Sequence, residues 1–168
     1  MPSLAHPHDG PLATAIVLAA SWGIVVPVLL VGIALVTSSH RRAAIVDAAA
    51  GGLATIALVK LGAHLYTHPR PFVVDHIAPL VAHAADNAFP SDHAAAAGLA
   101  VAYLWPRSRS LAAIATAFAV VIGAARVAAH LHWPIDIVAG YGFGLAGACL
   151  GSYIARRLLP MTRLGRAF

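Results

Sequence analysis

Glutamate is absent from the 168 residues, aspartate occurs six times, and lysine occurs once against ten arginines. Charged residues make up only 10% of the chain, while 60% is hydrophobic and the mean hydropathy is +0.81. A soluble domain carries about 25% charged residues. The shortfall excludes a water-soluble globule and makes lipid the solvent for most of the surface. Cysteine is nearly absent as well. Cys149 alone, inside an apolar run, excludes an internal disulfide and a cysteine-based metal site, and reads as a small buried hydrophobe. No nucleic-acid-binding motif or dense basic stripe is present. The formal charge of +5 is spread over the ends of apolar segments, which points to membrane orientation and anionic headgroups and not to nucleic acid. A cleavable signal peptide is not expected, because residues 1–11 hold no Lys or Arg and the first apolar run is too long.

Apolar sequence in long runs is what the chain has in abundance. Residues 12–36, 43–66, 111–129 and 135–155 each approach or exceed the roughly 20 residues that cross a bilayer. A shorter run, 94–105, follows Ser91-Asp92-His93 and stops at Pro106; residues 91–105 read as a fifth span with a recessed N-terminus. The expected fold class is therefore all-α, a polytopic transmembrane helix bundle of about five spans forming a single domain over residues 1–168. Ala and Gly dominate these segments. Gly140-x3-Gly144 and Gly147-x3-Gly151 read as close helix packing. Arg41, Arg42, Arg107, Arg109, Arg156, Arg157, Arg163 and Arg166 fall on one side, against Arg70 as the only loop arginine on the other. The excess of positive charge on the cytoplasmic side puts the N-terminus outside and the C-terminus in the cytoplasm.

Ionisable groups within membrane segments are costly and mark function, and here they gather at the outer face. Lys60, His64 and His68 end the second segment, followed by Pro69-Arg70-Pro71-Phe72. Phe89-Pro90-Ser91-Asp92-His93 opens the third from the same side. Arg126, His130 and His132 end the fourth, and Asp136 starts the fifth. The chemistry suits phosphate. A helix start after Pro90 offers backbone N–H groups without intrahelical partners, and Ser91 adds a hydroxyl. Arg70 and Arg126 supply planar forks matched to phosphoryl oxygens, with Pro69 and Pro71 stiffening the first. His93 can carry a proton near neutral pH. Asp136, four residues after His132, is spaced to orient that imidazole and stabilise its charged form.

Other polar residues read more plainly. His6, His8, His40, His76 and His83 sit in loops or tails without partners, and His64, His68 and His130 read as structural. Trp22, Trp105 and Trp133 read as interfacial anchors or core. Asp47 and Asp75 read as a solvated helix-start carboxylate and a solvated loop carboxylate. His64 and His68 have the four-residue spacing of a zinc pair, but Pro69 follows and no Glu lies nearby, and two arginines at the site would repel a cation. No metal or other cofactor is expected.

Taken together, Lys60…Arg70-Pro71, Pro90-Ser91-Asp92-His93 and Ala125-Arg126-x5-His132-x3-Asp136 resemble the signature of the type-2 phosphatidic-acid phosphatase superfamily: Lys-x6-Arg-Pro, Pro-Ser-Gly-His and Ser-Arg-x5-His-x3-Asp. The resemblance spans residues 60–136 and the flanking helices. It implies that His132 is a nucleophile forming a phosphohistidine, oriented by Asp136, and that His93 protonates the leaving oxygen and later activates water. It also implies that Lys60, Arg70, Ser91 and Arg126 bind phosphoryl oxygens without a metal. The chain departs from the pattern in Asp92 for Gly, in Ala125 for Ser, and in three extra residues between Lys60 and Arg70. His-Pro-Arg-Pro-Phe and Phe-Pro-Ser-Asp-His are most similar to the bacitracin-resistance type of undecaprenyl-diphosphate phosphatase. Many members of the superfamily have six spans, one more than expected here.

The leading expectation is outward-facing hydrolysis of undecaprenyl diphosphate, at the inner (cytoplasmic) membrane of a bacterium, within a pathway recycling a cell-wall lipid carrier. The alternatives are the same chemistry on phosphatidylglycerophosphate, phosphatidic acid or another lipid phosphate, and a transporter using His and Arg as a relay. The polar groups stay at one face, which disfavours the transporter. The expected partners are thus a lipid phosphate or diphosphate and the bilayer.

Overall fold

The computed structural model describes residues 10–158, so His6, His8, Arg163 and Arg166 lie outside the described residues. Seven helices make up the described part: α1 (Pro11–Trp22), α2 (Val25–Thr37), α3 (Arg41–Leu65), α4 (Pro71–Val74), α5 (Asp92–Leu104), α6 (Arg109–Ala128) and α7 (Pro134–Leu158). Among the described residues there is no strand, only an isolated antiparallel bridge between Pro69 and Asn87. The all-α fold class is as expected.

The span count needs correcting. Among the described residues three helices, α3, α6 and α7, are long and apolar enough to cross a membrane, and α1 with α2 makes a fourth if the bent pair counts as one. The first apolar run breaks by 41° between Trp22 and Val25. Pro27 cannot donate to the carbonyl four residues back, and its ring crowds that carbonyl, so the helix breaks there. Gly23 lets the break sit close to its neighbour, since a Cβ at this position would lie 2.9 Å from Ile122 Cγ1.

Helix α5, the expected fifth span, has 13 residues and so reaches only about 20 Å. It occupies the middle of the bundle, packed by α2, α3, α6 and α7, with Ala94, Ala95, Ala97, Gly98 and Ala100 buried. A helix wrapped in protein need not match the bilayer, because its ends are satisfied by neighbouring chain and not by lipid.

Small residues set the close packing. In the α3–α7 seam a Cβ at Gly147 would lie 2.7 Å from Thr55 Cα, and one at Gly151 would run into the Gly51 backbone. Gly62 sits under Phe143, so the register runs antiparallel. Gly140 faces Ser91 and Ala94, and Gly144 faces Ala95 and Leu99, so α5 and α7 run parallel and start at the same end. Ala20 packs on Ala125 and Ala129, Ile24 on Ile122, and Leu30 and Ala34 on Ala112 and Ala115, which makes the α1–α2 pair antiparallel to α6. The C-termini of α3 and α6 and the N-termini of α5 and α7 therefore meet at one end. Exposed Leu53, Ile56, Val120 and Val138 give the bundle an apolar outside, as a lipid solvent requires.

Two expectations are overturned away from that end. Asp47 is not solvated: it is 2% exposed and ion-paired with Arg107, whose guanidinium also lies 3.8 Å above the Tyr103 ring. Cys149 is not buried but lies on the exposed surface of α7. A buried carboxylate persists only with a partner, and the partner comes from the turn sixty residues later.

Candidate active site

Helix α3 ends at Leu65, and the chain then runs extended through His68, Pro69 and Arg70. Asn87 clamps this stretch. Its Oδ1 accepts from the backbone N–H groups of His68 (2.9 Å) and Phe89 (3.0 Å), and its Nδ2 donates to the carbonyls of Ala63 (3.1 Å) and Tyr66 (3.0 Å). Ala88 N–H donates to the His68 carbonyl at 2.8 Å. Arg70, held extended before Pro71, is thereby directed inward and is 5% exposed.

Helix α6 brings Arg126 to the same place, and the chain then reverses sharply. His130 adopts φ 58°, a left-handed conformation that terminates helices, and Leu131 N–H returns to the Arg126 carbonyl at 3.1 Å. The reversal lays His132 back over Arg126. His132 Nδ1 lies 2.9 Å from the Ala88 carbonyl, which can only accept, so Nδ1 carries the hydrogen. Nε2 then bears a lone pair. It faces Arg126 Nη2 at 3.0 Å and Arg70 Nη1 at 3.5 Å, an arrangement only a lone pair allows. Burial first, then Arg126 and Arg70, push the His132 pKa down to about 3, which keeps the ring neutral.

The two arginines differ in what they have left to give. A guanidinium has five N–H donors. Arg70 directs four contacts within the protein: Nε to Asp86 (2.7 Å), Nη1 to the Leu131 carbonyl (2.9 Å) and to His132, and Nη2 to the Asn87 carbonyl (3.3 Å). The hydrogen bond from Arg70 holds the Asp86 carboxyl below its usual range. Arg126 donates to the Ala20 carbonyl (3.2 Å) and to His132, while its Nε is buried and has no hydrogen-bond partner among the described residues. A buried unpaired donor costs about 1–3 kcal/mol, more when charged. Arg126 therefore has donors ready for an anion beside Nε2, and Arg70 is chiefly committed to the frame.

Asp136 is fully buried in the first turn of α7, yet it does not hydrogen-bond His132 closely. Its Oδ1 lies 2.8 Å from His68 Nδ1, its Oδ2 accepts from Trp133 N–H at 2.8 Å, and Oδ2 is 3.8 Å from His132 Nδ1. The hydrogen bond expected from Asp136 comes from Ala88 instead. Ser91 caps α5, accepting from Ala94 N–H at 3.4 Å, and is itself buried. Its N–H donates to the Asp136 carbonyl at 3.1 Å. His93, in the first turn of α5, lies against the Ser21 backbone near the end of α1.

Lys60 stands apart from this cluster, and Asp92 lies at its edge, close enough for its charge to act on Arg126 and His93. Both are exposed and line a lateral cleft of 350 Å³ between α3 and α5, with Gly52, Thr55 and Ala95. Of the eight expected site residues, the structure brings together Arg70, Arg126, His132 and Asp136, with Ser91 capping and His93 within the adjoining first turn of α5; Asp92 lies at the edge and Lys60 outside. Among the described residues no group of three or more His, Cys, Asp and Glu side chains is arranged to hold a metal ion. Sequence reasoning missed His68, Asp86, Asn87 and the Ala20 and Ala88 carbonyls. The His-Pro-Arg-Pro string was a visible signal for His68, whereas backbone carbonyls leave none.

The lowered pKa of His132 has a consequence for stability. The unfolded ring binds its proton at about 6.5 and the folded ring only near 3, so stability present above pH 6.5 is lost as pH falls toward 3. Thermal midpoints of wild type and His132→Gln, compared from pH 7 to 4, should diverge, with wild type losing more. Parallel curves would remove the neutral buried imidazole.

The PAP2 superfamily sequence profile matches residues 44–159. YbjG of Escherichia coli (strain K12), whose name assigns undecaprenyl-diphosphatase activity provisionally, is 34% identical over 154 residues, covering 89% of this chain and 77% of its own. The undecaprenyl-diphosphatase BcrC of Bacillus subtilis (strain 168) is 31% identical over 137 residues, covering 80% of this chain and 70% of its own. No solved structure matches the chain. With two buried arginines around one histidine at the shared end of its helices, the chain belongs to the PAP2 superfamily and is a membrane-embedded phosphatase.

Proposed function

We propose that the chain hydrolyses undecaprenyl diphosphate to undecaprenyl phosphate through a phosphohistidine on His132 Nε2. The observation that supports this most is the Nε2 lone pair facing two buried guanidinium groups, with Nδ1–H engaged by Ala88. A terminal phosphoryl group entering there meets a nucleophile and the positive charge that its equatorial oxygens need. Nε2 forms the N–P bond as the P–O bond to the bridging oxygen breaks, and the lipid monophosphate leaves with that electron pair, protonated as required by His93. Water then attacks phosphorus, His93 takes its proton, and the N–P pair returns to Nε2 as inorganic phosphate departs. Arg126 supplies most of the contact to the oxygens, assisted by Arg70, Ser91 and the first N–H groups of α5. Asp136 offsets the positive charge that His132 acquires. The choice of undecaprenyl diphosphate rests on the names of the two relatives and on the motif wording around Arg70 and Asp92.

Lys60 and Asp92 border the lateral cleft and meet the lipid near its headgroup in this reading, outside the reacting centre. The purified chain should release phosphate fastest from undecaprenyl diphosphate in a panel that includes phosphatidylglycerophosphate and phosphatidic acid. On the preferred lipid, Arg126→Ala should lower kcat by about 10²–10³-fold, and Lys60→Ala should act mainly on KM. Preference for a glycerolipid would replace the substrate, and a Lys60 effect on kcat larger than that of Arg126 would displace the site.

We also place the active site at the outer face of a bacterial cytoplasmic membrane, because Arg41, Arg42, Arg107, Arg109, Arg156 and Arg157 cluster at the other end. In a Cys149→Ala background, an impermeant thiol reagent on intact cells (spheroplasts for a Gram-negative host) should label Ala84→Cys and spare Ser39→Cys. The reverse pattern would invert the orientation.

A further inference from the structure

We propose that His68 is a positioning residue for the nucleophile, holding in place both groups that His132 Nδ1 faces. The inference rests on the reading of His132 as nucleophile and is independent of which lipid is cleaved. Two groups lie near Nδ1: the Ala88 carbonyl at 2.9 Å and Asp136 Oδ2 at 3.8 Å. His68 contacts the residues that carry both. Its main-chain carbonyl accepts from Ala88 N–H at 2.8 Å, and its main-chain N–H donates to Asn87 Oδ1 at 2.9 Å, which fixes the Asn87–Ala88 peptide. Its side-chain Nδ1 lies 2.8 Å from Asp136 Oδ1. A carboxylate only accepts, so His68 Nδ1 carries the hydrogen and donates it.

That donation decides which way the carboxylate faces. Asp136 is fully buried, and its side chain has two close partners, His68 on Oδ1 and Trp133 N–H on Oδ2. Without His68, Oδ1 would be left unpaired in the interior, and the carboxylate would rotate toward another donor to relieve that cost. Oδ2 would then leave its place opposite His132. In the free enzyme this matters little, because His132 is neutral and Ala88 already orients it. Once Nε2 bonds phosphorus the ring gains positive charge, and the nearest anion is Asp136. His68 therefore acts when charge develops, which is where an interaction changes kcat and not binding.

The surroundings suit this role. The His68 ring is stacked on Trp133 at 5.8 Å and 28°, and Tyr66 lies at 5.6 Å. Trp133 Nε1 donates to the Pro69 carbonyl at 2.9 Å. The ring is thus fixed between the two segments that it joins, with its side chain 22% exposed. Replacing the side chain leaves the main-chain contacts to Asn87 and Ala88 intact, so substitution isolates the Asp136 contact.

The test uses the full chain in lipid nanodiscs with whichever lipid phosphate the wild type hydrolyses fastest. His68→Ala should lower kcat by about 10–100-fold, the effect of one charge-assisted hydrogen bond, with KM little changed. Phosphoenzyme formation in a rapid-quench experiment should slow by the same factor. His68→Asn, whose amide nitrogen can occupy the Nδ1 position, should recover most of the loss. His68→Gln, whose amide reaches the Nε2 position, should not, and this pair decides the matter even if the alanine variant fails to fold. Unchanged kcat in His68→Ala, a change in KM alone, or equal behaviour of the Asn and Gln variants would overturn the role. If wild type cleaves a lipid phosphate but His132→Asn remains active, the nucleophile assignment has failed instead.

Discussion

Two guanidinium groups are buried side by side around one imidazole nitrogen, and among the described residues no carboxylate lies between them. Asp86 meets Arg70 from the exposed side, and Arg126 has only the Ala20 carbonyl and His132 as hydrogen-bond partners. Like charges in the interior repel, and an unpaired charged donor there costs a few kcal/mol. The surrounding fold must supply that free energy, and in the proposed reaction a phosphate anion relieves it on arrival. Burial, together with the same charges, holds His132 neutral. On that reading a site tense when empty and balanced when filled would draw its affinity from the charge it accommodates, and need little else from the chemically inert chain of a lipid.

Helix packing is what makes the tension sustainable. Glycines at 140, 144, 147 and 151 bring α7 against the backbones of α3 and α5, so the first turns of α5 and α7 start at the same level. The Ser91 N–H bond to the Asp136 carbonyl joins those starts directly. From the third side, the break between α1 and α2 brings the Ala20 carbonyl to Arg126 and the Ser21 backbone to His93. The family profile begins at residue 44, so this wall comes from a segment outside the region matched. At the far end, the buried Asp47–Arg107 pair ties α3 to the turn before α6, and apolar Ala97, Ala119 and Ile122 lie within the core.

Much of this was legible in the sequence where local pattern carries the information. The apolar runs marked α3, α6 and α7, and the spacing Arg126-x5-His132-x3-Asp136 brought three chemical groups to one turn. Pattern failed where a contact joins distant segments. Asp47 read as solvated because Arg107 lies sixty residues on. Asp136 read as the partner of His132 and does lie 3.8 Å from it, but its closer partner, His68, is 68 residues away. Lys60 was expected at the phosphate, yet the three extra residues before Arg70 leave it exposed on α3. The break at Gly23 was foreshadowed by Pro27, but a run apolar on both sides concealed it. Length alone could not tell that α5 would be enclosed by protein and so be free to fall short of the bilayer.

The proposed phosphohistidine is a covalent intermediate, and it can be seen directly. Undecaprenyl diphosphate labelled with ³²P in its terminal phosphate, mixed with the chain and quenched within one turnover, should leave an acid-labile, alkali-stable label. Mass spectrometry should map that label to His132, and His132→Asn should carry none. Label on another residue, or full turnover without any bound phosphate, would contradict the account.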